Sequence, residues 1–343
     1  MTTPPQLTPA TGGATTAPGS PSPGAGDGAA GAPPAGIRIA NAPCSWGALE
    51  FEGMAADPVP YDRMLDELAA TGYDGTDLGD WGYMPTEATD LRAELDRRGL
   101  DLVSAFVPVA LRDPAAHAPG LDHAIRVARL LALVGGEQAT PTCLVLADDN
   151  GTDPVRTRHA GRVTAEMGLD AGDRETFARG AEEIARAVYA QTGVRTLFHH
   201  HCAGFVETPA EIDRFLDLTD PDLVGLVFDT GHYAFGSGDP ASADIGAALD
   251  RYAGRIRLVH AKDCDPIVAR HSTAARWDYF TSVRHGVFCE LGRGVIDFAL
   301  VGRHLGQHGY GGWLVVEQDV LPGLGTPRES AARNRATLSR LGF

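Results

Sequence analysis

The sequence predicts a (β/α)8 barrel behind a disordered leader, and three observations carry that prediction. From residue 37 onward, eight short apolar runs alternate with eight amphipathic helical segments. The runs are near-continuously apolar, as parallel strands covered on both faces are. No G-x-G-x-x-G follows the first run, although a doubly wound nucleotide-binding sheet would carry one there.

The leader, residues 1–36, is Pro, Gly, Ala, Thr and Ser apart from Met1, Gln6, Leu7 and Asp27, with no Lys or Arg. Such a segment cannot bury enough apolar area to offset its ordering entropy, so disorder is expected. It lacks the basic start and apolar core of a signal peptide. The barrel domain is therefore placed at 37–343. Its strands are expected at IRIANAPC, DGTDL, LDLVSAFV, PTCLVLA, VRTLFHHH, DLVGLVFD, RIRLVHAK and GWLVVEQ. The helices should begin near Tyr61, Thr86, Leu121, Asp173, Thr208, Ala243, Asp297 and Thr326. Thr208-Pro209-Ala210-Glu211 and Thr326-Pro327-Arg328-Glu329 each match a capping box with Pro at the first helical position. Gly72, Gly99, Gly193 and Gly309 stand where a left-handed residue ends a helix. Residues 148–172 form a long connection after strand four. On the C-terminal rim of a barrel they would be a lid or a mobile surface insertion.

Composition narrows the function. A formal net charge of −16 opposes binding to a polyanion, so no nucleic-acid partner is expected. No apolar run is long enough to span a bilayer, so no membrane partner is expected either. Cys44, Cys143, Cys202, Cys264 and Cys289 are scattered, without zinc-ribbon spacing, and imply a reduced, cytoplasmic protein. The oligomeric state is open, with a homo-oligomer among the options.

Barrel chemistry sits where strands end on the C-terminal face. Strand five ends in His199-His200-His201, strand six in Asp229 with His232 one turn on, strand seven in His260 with Lys262 and Asp263, and strand eight in Glu317. Successive strand residues face opposite ways, so His199 and His201 should share the barrel mouth while His200 faces the helices. Taken singly, each such residue is more often a cap or a satisfied core group. Four consecutive strands ending this way place imidazoles and carboxylates together in a low-dielectric mouth, where unpaired charge is costly. A divalent cation relieves that cost and supplies Lewis acidity. Mixed oxygen and nitrogen donors suit Mn or Co, with Zn, Fe or Mg as alternatives.

The segments FDTGH, HAKD and VVEQD resemble those of the xylose isomerase-like barrel superfamily of sugar isomerases, epimerases and base-excision endonucleases. NAPCSWG, GYMP, the stretch HHHCAGFVETPAEIDRFLDLTDPDLVGLVFDTGHYAFGSGDP and FCELGRGVIDF resemble the myo-inosose-2 dehydratases more specifically. The resemblance spans nearly everything after residue 37. It implies Asp229, His260 and Glu317 as ligands of one divalent metal. His199 stands where the superfamily usually has a glutamate, so it becomes the fourth ligand, with His201 or Glu207 as alternatives. It also implies a small-molecule partner: a polyol, keto-cyclitol or keto-sugar.

The exchanged glutamate bears on the reaction. Epimerisation wants two bases on opposite faces of a carbon, and a metal-bound imidazole has no free lone pair to serve as one. Removal of a proton α to a ketone and loss of the β-hydroxyl can run on one face. Dehydration of a keto-cyclitol such as inosose is therefore expected, with a ketose epimerase or isomerase as the alternative. Lys262 or His232 is the expected acid or base, Lys262 with its pKa lowered by burial beside a cation. His201 points toward substrate. Trp46 and Trp81 would stack on an apolar ring face, and Glu290, like Glu207, would meet hydroxyls. Gly292 and Gly294 permit the ELGRG turn.

Overall fold

The computed structural model describes residues 36–47, 59–136, 138–319 and 325–343. The leader expectation thus lies, apart from Gly36, outside the described residues.

Eight strand positions form one parallel sheet: β1 (Arg38–Asn41), β2 (Gly75–Thr76), β3 (Asp101–Leu102 continued by Ser104–Pro108), β4 (Cys143–Ala147), β5 (Arg195–His199), β6 (Val224–Asp229), β7 (Ile256–Ala261) and β8 (Trp313–Val316). The order is β3-β2-β1-β8-β7-β6-β5-β4-β3. The first half of β3 pairs with β2 and the second with β4, so this one strand closes the sheet into a barrel. Val103 lies between the halves and packs inside the barrel, and Ser104 also turns toward the interior cavity. Two consecutive inward residues break the alternation, which is why the strand is divided.

Ala40, Ala42, Val103, Val145, Leu197, Val227, Leu258, Trp313 and Val315 pack together inside the barrel. Gly75 makes room for the largest of them: a Cβ there would lie 2.9 Å from the Trp313 ring. The alternate residues face outward. Phe198 packs on Phe215 at 4.1 Å and on Phe177 at 5.8 Å between ring centroids, which locks β5 against two helices. That outward anchor forces the next residue, His199, inward.

The eight outer helices are α1 (Tyr61–Ala70), α2 (Ala88–Asp96), α3 (Pro114–Gly135), α4 (Ala171–Thr192), α5 (Pro209–Leu218), α6 (Ile245–Tyr252), α7 (Phe298–Gln307) and α8 (Pro327–Arg340). Both expected capping boxes form, at Thr208 and Thr326. Gly72, Gly99, Gly193 and Gly309 all have positive φ. Helix α3 starts seven residues before the expected Leu121, because the Asp113 carboxylate accepts the Ala115 N–H and Pro114 fits the first helical position.

Four further α-helices were not anticipated: Pro154–His159 after β4, Thr230–Gly236 after β6, and Pro266–Ala275 and Tyr279–Arg284 after β7. They build the C-terminal rim. The 148–172 connection is docked there, since the buried Arg156 guanidinium makes two 2.8 Å bonds to Glu211 and donates to the Gly204 carbonyl. An ion pair of this kind is not what a free surface insertion carries. Among the described residues no helix is long and apolar enough to cross a membrane.

Candidate metal centre

Leu197, Val227, Leu258 and Val315 point into the barrel, so residues two further along share their face. Those residues are His199, Asp229, His260 and Glu317. Asp229 Oδ2 lies 3.6 Å from His199 Nε2 and 3.8 Å from His260 Nδ1. His260 Nδ1 is 3.0 Å from Glu317 Oε1. The other Asp229 oxygen, Oδ1, accepts the His232 N–H at 2.7 Å and caps the short helix Thr230–Gly236. Asp229 is thus held by one oxygen while it presents the other.

The donor set fits a cation. Both ring nitrogens of His199, Nε2 of His260 and Oδ2 of Asp229 are buried without a hydrogen-bond partner. Orphaned polar atoms of this kind are rare unless a ligand takes them. Burial, with the neighbouring His260, holds His199 well below the usual imidazole range, so it is neutral and one ring nitrogen keeps its lone pair for a cation. Burial opposes charge on His260, but Glu317, Asp77 and Asp229 outweigh it and raise its pKa. Burial works against ionised Glu317 too, yet His260 and Lys262 keep it well below the carboxylate range. His199, Asp229 and His260 converge as one candidate ligand group, and Asp77, His260 and Glu317 as a second that shares a member.

The centre lines a pocket in the barrel mouth whose walls include Phe106, Val145, His201, Lys262, Tyr279 and Asp319. His201 reaches it from beyond the end of β5, which stops two residues earlier than expected. Its Nδ1 is 2.5 Å from the Cys202 carbonyl, and its Nε2 is 3.4 Å from the Tyr279 hydroxyl. His200 turns the other way, packs on Phe228 and Tyr233, and accepts the Asp229 N–H.

Several expected roles are corrected. Lys262 does not have the lowered pKa expected of it. Its Nζ is 3.1 Å from Glu317 Oε2 and lies over the Phe288 ring. Burial would lower its pKa, but Glu317, Asp319 and Asp229 raise it well above the usual value, so it is an ammonium rather than a neutral base. His232 sits behind His201, ring on ring at 3.8 Å, and is not a cavity wall. Trp46 is a core residue whose Nε1 donates to Glu67. Trp81 packs at the rim with His123 and Arg126 rather than lining the cavity. Glu207 spends both oxygens on the backbone N–H groups of Gly161 and Ala203. Glu290 bonds Ser330 and Arg333 and ties its loop to α8. Gly292 and Gly294 permit their turn as expected: both N–H groups donate to Asp263, and a Cβ at Gly294 would lie 2.2 Å from it.

Asp77, Tyr279 and Asp319 were missed. Asp77 ends the apolar side of DGTDL as Asp229 ends β6, so the same strand-end rule would have found it. Its Oδ1 accepts the Ser104 hydroxyl at 2.6 Å. Tyr279 comes from a loop helix and carried no periodic signal.

Fold and site together define a closed parallel barrel whose strand ends gather a mixed nitrogen and oxygen donor set. The sequence pattern of the xylose isomerase-like TIM barrel matches residues 65–340, and the chain belongs to that family. It is 31% identical over 305 residues to an inosose dehydratase of Geobacillus kaustophilus (strain HTA426), covering 89% of this chain and 94% of that one. It is also 31% identical over 308 residues to the rhizopine catabolism protein MocC of Rhizobium meliloti, covering 89% and 88%. Among solved structures, an IOLI protein with a binding zinc atom shares the fold at a TM-score of 0.61 and 14% identity, covering 89% and 98%.

Proposed function

We propose that this chain is a divalent-metal-dependent carbon–oxygen lyase that dehydrates a keto-cyclitol such as inosose. The observation that carries the reading is the convergence of orphaned donor atoms from His199, Asp229 and His260, with Glu317 alongside, in one buried mouth. The likeness to an inosose dehydratase supports the substrate class. His199, Asp229, His260 and Glu317 are the proposed ligands, and Mn or Co suits two imidazoles and two carboxylates. When bound, the cation supplies Lewis acidity to a substrate carbonyl.

The chain's own groups divide the proton work. His201 is neutral, because burial and His199 bring it down to about 3. A bond from Nδ1–H to the Cys202 carbonyl leaves Nε2 as a lone-pair acceptor for the α-proton. Lys262, held as an ammonium, donates to the departing β-hydroxyl. Tyr279 orients a hydroxyl beside His201, while Phe106 and Val145 wall the site against water. The five thiols and a small polyol substrate fit a cytoplasmic setting.

Asp77 favours a second reading. It offers another carboxylate beside His260 and Glu317, as a two-base ketose epimerase would need. The test is incubation of protein and Mn²⁺ or Co²⁺ with inosose and, separately, with ketoses. Growth of an absorbing dione or enone from inosose supports dehydration, whereas ketose interconversion without that absorbance overturns it.

A further inference from the structure

The turn after β5 contains a buried carboxylate whose bonds lead to a cavity residue. Glu207 is fully buried; Oε1 accepts the Gly161 N–H at 2.7 Å and Oε2 accepts the Ala203 N–H at 2.8 Å. The Ala203 N–H and the Cys202 carbonyl belong to one peptide group. That carbonyl is the one 2.5 Å from His201 Nδ1. No peptide among the described residues is cis, so the N–H and C=O of this group point in opposite directions. The connection therefore runs from carboxylate through peptide to imidazole. It ends at His201 Nε2, beside Tyr279 in the cavity wall.

The peptide is held in place from several sides. Ala203 has φ +67°, a left-handed conformation that few residues other than glycine adopt. His201 N–H donates to the Val206 carbonyl, Gly204 N–H to the His201 carbonyl, and Gly151 N–H to the Ala203 carbonyl. Strain of this kind persists only where the surroundings over-determine it, and it clusters at functional sites.

We infer that Glu207 is a positioning residue that fixes the tautomer of His201 and strengthens its acceptor nitrogen through the Cys202–Ala203 peptide. The inference deepens the proposed function and rests on His201 as its proton acceptor. An anion against the N–H polarises the peptide and makes its carbonyl a stronger acceptor, because linked hydrogen bonds reinforce one another. That carbonyl then holds the proton on Nδ1 and leaves the Nε2 lone pair on the cavity side, 3.4 Å from the Tyr279 hydroxyl. A carboxylate suits the position because it accepts at both oxygens. An amide would turn an NH2 toward one of the two N–H groups. Arg156, Arg162, Glu211 and Cys202 are the titratable or charged groups facing Glu207; burial pushes it up to about 7 against the pull of Arg156 at 4.0 Å, so the anionic form that polarises the peptide builds up as pH rises through that value.

The test is Glu207→Gln, with NMR of the His201 ring nitrogens beside steady-state kinetics and metal analysis. The native ring should be the Nδ1–H tautomer, and the variant a mixture of tautomers. Turnover should fall about 10- to 100-fold, the range seen when partners behind an active group are removed. KM and metal content should stay within about twofold, the split expected when only transition-state stabilisation is lost. A variant that keeps the pure Nδ1–H tautomer, or that loses metal in step with activity, overturns the inference. If the native protein dehydrates no inosose, the ring measurement still decides the relay, so the two failures are distinct. If Glu207→Gln does not fold alone, the Ala203→Gly/Glu207→Gln protein carries the same measurement, since glycine takes the left-handed turn without strain.

Discussion

Lys262 and Glu317 are joined across the ends of neighbouring strands, with Nζ 3.1 Å from Oε2, while the other Glu317 oxygen lies 3.0 Å from His260 Nδ1. One carboxylate therefore links the proposed metal centre to the proposed proton donor. Its position at the end of β8 is fixed by the inward Val315, not by anything Glu317 itself contributes to packing.

Glu317→Ala should accordingly lose most bound metal and most turnover while the barrel survives. The core is built from other side chains, so circular dichroism should barely change. Elemental analysis of the purified variant is the check, and full metal occupancy would sink the site as drawn.

Trp46 should affect stability and leave the site untouched. Trp46 is wholly buried and bonded to Glu67, so Trp46→Ala should cost stability of about 3–5 kcal/mol, as large-to-small core changes do. Its KM for the cyclitol should not move. Chemical denaturation beside steady-state kinetics tests this, and a raised KM with unchanged stability would return Trp46 to the substrate.

Much of the site was legible because strand parity is a local rule. His199, Asp229, His260 and Glu317 each follow an apolar strand, and parity with Leu197, Val227, Leu258 and Val315 carries them inward. The failures share a different cause. Glu207 and Glu290 look like free carboxylates in the sequence, but their partners are Gly161, Ala203, Ser330 and Arg333, brought close only by folding. Lys262 looked like a group to be neutralised by burial. Three carboxylates from other segments reverse that, and none is its sequence neighbour in a way that reveals it. Tyr279 was hidden because a six-residue loop helix has no periodicity to read. The barrel itself was plain for the opposite reason: eight apolar runs, two capping boxes and four stop glycines repeat one unit.

Glu207 also makes a pH prediction. Burial, eased by Arg156 and the two backbone N–H groups, pushes it up to about 7 from an ordinary 4.5. The folded chain thus binds this proton more tightly than the unfolded chain. The group favours folding fully below about pH 4.5, and that contribution is lost as pH rises through about 7. In metal-free protein, the Tm of the native chain minus that of Glu207→Gln should therefore fall steadily across this window. A difference that grows with pH would mean the carboxylate is ionised well below 7.

The histidine tract gives the sharpest test of the site. His199→Ala should weaken metal binding by at least the 10- to 100-fold that even indirect losses cause. His201→Ala should keep its metal and lose turnover, because its nitrogen faces the cavity and not the donor cluster. His200→Ala should cost stability alone, about 1–3 kcal/mol, since it strips the buried Asp229 N–H of its acceptor. His199→Glu goes further, restoring the carboxylate that the superfamily usually carries there. That variant should still bind metal, since a carboxylate replaces an imidazole as donor. It should lose dehydration rate and exchange the α-proton with solvent, because a second base now faces the reacting carbon. Isotope exchange followed by NMR reads this directly. If His200→Ala abolishes metal while His199→Ala is silent, the inward and outward faces of β5 are exchanged, and both the ligand set and the one-face elimination fall with them.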